Sequence, residues 1–237
     1  NTSRWAQNVT ATSSFEKTLL NKPILPLISA WLFTFVGGFA SAYAYITLDG
    51  VFANMQTGNI IKSVIFAVEG KDFSSLLLSI AFYVIGVIAA VLLGKVRFGN
   101  IISVIIEMSA ISLCLIFAKN GEENMLTLNL AVSFSCALQF EFFHAVGSSG
   151  FTSVMCTNNL RAGIENLLLG AVEKNGKKAV EGVYFLLFDV IFAGGVALGA
   201  VAALKFGYYS IGFVLIPLSI ILCLQIAVDC GKGKDEK

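Results

Sequence analysis

The sequence predicts an all-α polytopic membrane protein with six transmembrane helices and two short broken or re-entrant half-helices, built as an inverted 3+3 internal repeat. Eight crossings are the alternative count. Three observations lead there. Hydrophobic residues make up 57% of 237 and charged residues 13%, with a mean hydropathy of +0.82. A soluble domain is nearer half apolar and a quarter charged, so the solvent for this chain is lipid. Six apolar stretches are long enough to cross a bilayer core, which takes roughly 20 helical residues. Finally, two polar phrases of related sequence, Asn54-Met55-Gln56-Thr57-Gly58-Asn59 and Met155-Cys156-Thr157-Asn158-Asn159, interrupt the apolar pattern one hundred positions apart.

The elements read in order as follows. Residues 1–22 are polar and carry no apolar core of a signal peptide. The first membrane repeat covers 23–120. Its long stretches are Leu25 to Leu48, Phe73 to Gly94, and Asn100 to Ala118 with the single acid Glu107. The second repeat covers 121–229. It holds Asn124 to Val146 with Glu141 and His144, Ala179 to Leu204 with Glu181 and Asp189, and Phe206 to Val228. Residues 230–237 form a basic, solvated tail. Two apolar pieces remain, Gly58 to Gly70 and Asn159 to Gly170. At 1.5 Å per residue each spans about 18 Å, half a bilayer. Each follows one of the polar phrases, and non-helical backbone survives at membrane depth only when protein or a wet cavity covers it.

The repeat is carried by position. Gly50, Met55, Thr57, Asn59 and Gly70 match Gly150, Met155, Thr157, Asn159 and Gly170 without a gap. The flanking hydropathy agrees as well: long helix, phrase, short helix, two long helices, then the same again. With six crossings and the N-terminus inside, all of the 16 Lys and Arg residues except Lys62, Lys71, Lys119 and Lys205 fall on the inner side. Three crossings per half turn the second half upside down. The eight-crossing count balances charge nearly as well, and both place the two termini in the cytoplasm of a bacterial cell, at its inner membrane.

Thr57 and Thr157 are expected as N-caps. Gly58 permits close backbone approach, and the amides of Asn59 and Asn159 can donate and accept. Two helix N-termini meeting near mid-membrane would form a site for an anion or dipole. The candidate binding residues are Gln56, Thr57, Gly58, Asn59, Gln139, Thr157, Asn158, Asn159 and Arg161, with simple capping of two structural half-helices as the alternative role. At this point the chain resembles the YoaK-like bacterial inner-membrane proteins, a family of unknown function. The resemblance rests on Gly37-Gly38-Phe39-Ala40-Ser41-Ala42, the first phrase, Cys136-Ala137-Leu138-Gln139, and Met155 to Arg161, and covers about Leu25 to Val228. It implies a six-helix membrane protein and supplies no substrate or reaction. The family often has an acid where Ser41 stands and Gly where Asn158 stands, so the two halves here are not equivalent.

An ionisable residue inside lipid is costly unless a cavity or partner receives it. Glu141 and Asp189 are the candidate proton carriers. Glu107 is read as a packing or protonated acid, and Arg161 with Glu165 as an i, i+4 ion pair. No nucleophile elbow, Walker loop or zincin motif occurs, and with one His no His-based metal cluster forms. The five Cys show no CxxC pairing and read as reduced thiols. No catalytic residue, metal or cofactor is assigned, and the net charge of +1 gives no reason to expect a nucleic-acid partner. The expected function is transport of a small polar or anionic solute, with the proton as candidate coupling ion and lipids as the surrounding partner. The alternatives are a channel, or a non-transporting subunit or membrane-embedded enzyme. Gly194, Gly195 and Gly199 are compatible with close helix packing and with a homo-oligomer.

Overall fold

A computed structural model describes residues 24–142 and 156–235. Among these the regular elements are all helical. They are α1 (Ile24–Thr47), α2 (Gln56–Val68), α3 (Ser74–Leu93), α4 (Gly99–Phe117), α5 (Met125–Phe142), α6 (Cys156–Val172), α7 (Gly176–Phe206) and α8 (Leu215–Asp235). Short 3₁₀ turns, Ala118–Asn120 and Gly207–Val214, precede α5 and α8. Five helical stretches are long and apolar enough to cross a membrane: Leu27–Thr47, Ser74–Leu93, Gly99–Asn120, Met125–Phe142 and Gly176–Asp229. The last runs 54 residues through α7, the second 3₁₀ turn and α8.

α1 is the hub. Phe33, Val36, Phe39 and Tyr43 sit in a core with Val104 and Ile111 of α4, Leu128 and Val132 of α5, and Leu218 and Ile221 of α8. The outside is as apolar as the inside: Leu77, Val84, Ile85, Ile88 and Leu92 of α3 are exposed, as are Val190, Leu198, Val201 and Leu204 of α7. A water-soluble monomer does not carry such area, whereas lipid receives it at no cost.

Contacts fix the direction of each packed pair. α1 and α7 run parallel, because Gly38 meets the backbone of Phe192 and Gly195 and Gly199 meet the backbones of Phe35 and Phe39. A Cβ on either Gly38 or Gly195 would collide with the facing main chain, so the close approach depends on their being glycine. α3 and α5 also run parallel. Asn129 donates to the Ser75 carbonyl at 3.0 Å, and Ser79 and Ser133 share a hydrogen bond at 2.7 Å. The C-terminal end of α1 lies beside the N-termini of α3 and α5, since Leu48, Ser74 and Met125 line one pocket.

The stretch between α1 and α2 turns inward. Asn54 Nδ2 donates to the Gly37 carbonyl at 2.8 Å and to Ser41 Oγ at 2.9 Å. Gly37 stands about 15 Å from the end of α1, near its middle. By Lys62, α2 has climbed back, and that ammonium donates to the Asp49 and Gly50 carbonyls at 2.9 and 2.8 Å. α6 behaves alike against α7. Gly163 touches Gly182 and Leu186, and Gly170 touches Ala179. It starts beside the middle of α7 and ends where α7 begins.

Several boundaries differ from the sequence reading. The expected span Phe206 to Val228 is not one helix. Gly207 takes a left-handed φ of +54° and ends α7, and a 3₁₀ turn intervenes before α8 starts at Leu215. α8 then runs on to Asp235, into the expected tail. α7 begins at Gly176 because the Asn175 side chain accepts from the Lys177 and Lys178 N–H groups. Thr57 is no N-cap. α2 starts at Gln56 with Met55 at the cap position and no side-chain cap bond. Thr157 is likewise the second residue of α6. His144, Val146, Gly150 and Met155 lie outside the described residues.

Candidate functional site

The first phrase is held by one buried amide. Asn59, with 0% of its surface exposed, accepts from the Phe52 N–H at 2.9 Å and donates to the Phe52 carbonyl at 2.8 Å. It also donates to Gln56 Oε1 at 2.9 Å and Ser79 Oγ at 3.4 Å. The side chain thus stands in for a strand neighbour, satisfying both main-chain groups of Phe52 in a stretch that makes no regular ladder. Gln56 Nε2 donates to the Ala53 carbonyl at 3.0 Å, closing the turn into α2. Gly58 packs under the Phe52 ring, where a Cβ would stand 2.7 Å from a ring carbon. Thr57 is exposed.

Ser79 passes the network on. Ser133 donates to Asn129 Oδ1 at 3.2 Å, so Asn59, Ser79, Ser133 and Asn129 form a continuous buried chain of polar groups across α2, α3 and α5. Each of the four is almost wholly enclosed. Sequence reasoning missed Asn54, Ser79, Ser133 and Asn129. Their signal was modest: single amides and hydroxyls at interior positions of apolar stretches, which lipid-facing positions do not favour.

The second phrase is built on the same plan with different chemistry. Asn159 is 2% exposed. It hydrogen-bonds the Asp189 side chain on α7, and Asp189 also bonds Cys156. Asp189 therefore receives the start of α6 as Ser79 receives the start of α2. The carboxylate oxygen Oδ1 of Asp189 is enclosed and has no further protein partner. Thr157 and Asn158 are exposed, and Arg161 pairs with Glu165 at 3.6 Å on the surface.

Two further amides meet α1. Gln139, 1% exposed, donates to the Phe33 carbonyl, one turn before the Gly37 carbonyl that holds Asn54. Glu141 is half-buried at the end of the described part of α5, near Tyr83. Glu107 is buried on α4, close to Cys136. The structure thus gathers Asn54 and Gln139 on α1, Asn59 on α3, and Asn159 with Asp189 on α7, while Thr57, Thr157, Asn158 and Arg161 stand at the surface.

Short helices that begin among buried polar groups, in a bundle with a lipid-compatible exterior, define a class: an all-helical, apolar membrane protein. Within that class the chain matches, over residues 29–224, the family model described as Protein of unknown function (DUF1275), and it belongs to that family. This agrees with the YoaK-like resemblance, which also names a family without assigned function. No curated protein and no solved structure matches the chain.

Proposed function

We propose that the protein is a secondary transporter of a small polar or anionic solute, coupled to protons through Asp189, in the inner membrane of a bacterium with both termini in the cytoplasm. The observation that carries this reading is the pair of short helices. Each begins beside the middle of a long helix, at a buried Asn bonded to the long helix that follows it: Asn59 to Ser79, and Asn159 to Asp189. Broken helices paired in this way are the substrate-binding device of transporters built from inverted repeats.

Six crossings in an inverted 3+3 arrangement fit the packing. In each half, the long helix before the phrase runs parallel to the long helix after the phrase of the other half: α1 with α7, and α5 with α3. The last helix of each half packs on the first helix of the other, α4 on α5 and α8 on α1. α2 starts deep and returns towards the end where α1 finished, which favours re-entry over an eighth crossing.

The halves differ where it matters for coupling. Ser79 is a neutral hydroxyl and Asp189 an acid, so only the second half can load and release a proton at this position. Glu141 is the second candidate carrier. Uptake into proteoliposomes with and without an imposed pH gradient tests the reading. Asp189→Asn is expected to bind solute while losing gradient-driven accumulation. Accumulation equal to the parent's in both Asp189→Asn and Glu141→Gln overturns the coupling role of these acids.

A further inference from the structure

The two amides on α1 are fixed in orientation. The groups they bond, the Phe33 and Gly37 carbonyls, accept only, so Gln139 and Asn54 must each turn an NH₂ towards α1. That leaves Gln139 Oε1 and Asn54 Oδ1 facing away, and both are buried with no protein partner. Phe33 and Gly37 are about one turn apart on one face of α1, so the two free oxygens hang from anchors about 6 Å apart. An amide oxygen enclosed without a donor costs roughly 1–3 kcal/mol. Asp189 Oδ1 is a third enclosed acceptor without a further partner. Among the described residues, the enclosed donors left over are Trp31 Nε1, packed with Phe185 and Phe188, and the Ser135 hydroxyl, which can donate or accept and lies one turn before Gln139 on α5.

One end of the bundle carries the same polarity. A pocket of about 270 Å³ at the end of the bundle where α1 finishes is lined by Glu122 and Glu123 and has Asn129 in its wall. Asn129 opens the chain through Ser133 and Ser79 to Asn59 and Gln56. Two carboxylates in its lining repel anions and attract cations.

From the paired free carbonyl oxygens of Asn54 and Gln139, we infer that the solute presents N–H donors, as a primary ammonium or amide group, rather than a carboxylate or phosphate. This rests on the transport reading for its purpose but not for its chemistry, because the acceptors are there whether or not the solute crosses. It narrows the solute class from polar or anionic to donor-bearing.

The test is equilibrium binding to the purified full chain in nanodiscs, with methylammonium, acetamide and acetate as three probes of similar size. Methylammonium or acetamide should bind and acetate should not. A preference for methylammonium over acetamide identifies a cationic group, and the reverse identifies a neutral amide. Asn54→Leu and Gln139→Leu should each weaken binding about tenfold, the effect of one lost hydrogen bond to an enclosed group. Melting temperature and monodispersity of each variant separate a lost contact from a lost fold, and the parent's own ranking of the probes needs no variant. Binding of acetate alone, silence from both donors, or well-folded Leu variants that bind like the parent overturns the inference. Donor binding without uptake into proteoliposomes would instead count against transport and leave the donor-specific site standing. Uptake of acetate without the donors would do the reverse.

Discussion

At the level of single residues, Asn59 and Thr57 exchange the importance the sequence assigns them. Thr57 looks like a cap by type and position, but the chain enters α2 two residues earlier than a Thr cap requires, and its side chain is exposed. Asn59 does the holding, through bonds to Phe52, Gln56 and Ser79. Asn59→Ala is therefore expected to destabilise the protein by roughly 2–4 kcal/mol, since it also strands the part-buried N–H and carbonyl of Phe52. Thr57→Ala is expected to stay within about 0.5 kcal/mol. Thermal melting of the two variants in one detergent checks the contrast, and equal losses would contradict it. The repeated Asn was legible in the sequence because its spacing repeats. Its partners were not, because Ser79 and Asp189 lie a full helix away and only the fold brings them back. The different chemistry of those partners is where the two halves part.

Helix by helix, the long apolar stretches were legible because lipid demands about twenty apolar residues of each, and α1, α3, α4 and α5 lie close to where hydropathy put them. The errors fell where one residue overrides the average. Gly207, at a left-handed φ, ends α7 close to the break expected after Leu204, but a 3₁₀ turn then runs to Val214, so the helix expected from Phe206 starts only at Leu215. Asn175 begins α7 three residues early, and its side chain among Lys and Gly was a readable cap signal. The α1–α7 crossing supplies a test with an internal control. Gly195 faces the backbone of Phe35 and leaves no room for a Cβ, whereas its neighbour Gly194 has open space. Gly195→Val should cost about 1–3 kcal/mol or more and reduce the folded yield on size-exclusion chromatography. Gly194→Val should leave that yield within error of the parent. Equal behaviour would mean the two helices do not approach as closely as described.

For the whole molecule, the packing pairs matter more than the count of helices. α1 with α7 and α3 with α5 are both parallel, and each short helix folds back on the long helix that follows it. With that geometry, the α2–α3 turn and the α6–α7 turn lie at opposite ends of the bundle, and the phrases they carry point inward from opposite sides. The spacing of the phrases is the ground for expecting a duplication, but identity at five positions says nothing of direction, which resides in contacts such as Asn54 with Gly37. The most direct test is side-specific labelling in a variant lacking native Cys, with one Cys placed at Lys71 or at Asn175. A membrane-impermeant maleimide applied to intact cells should label the Lys71→Cys protein and reach the Asn175→Cys protein only after the membrane is permeabilised. Labelling of both from the same side would contradict the opposed entry of the two short helices, and with it the paired site on which the functional reading rests.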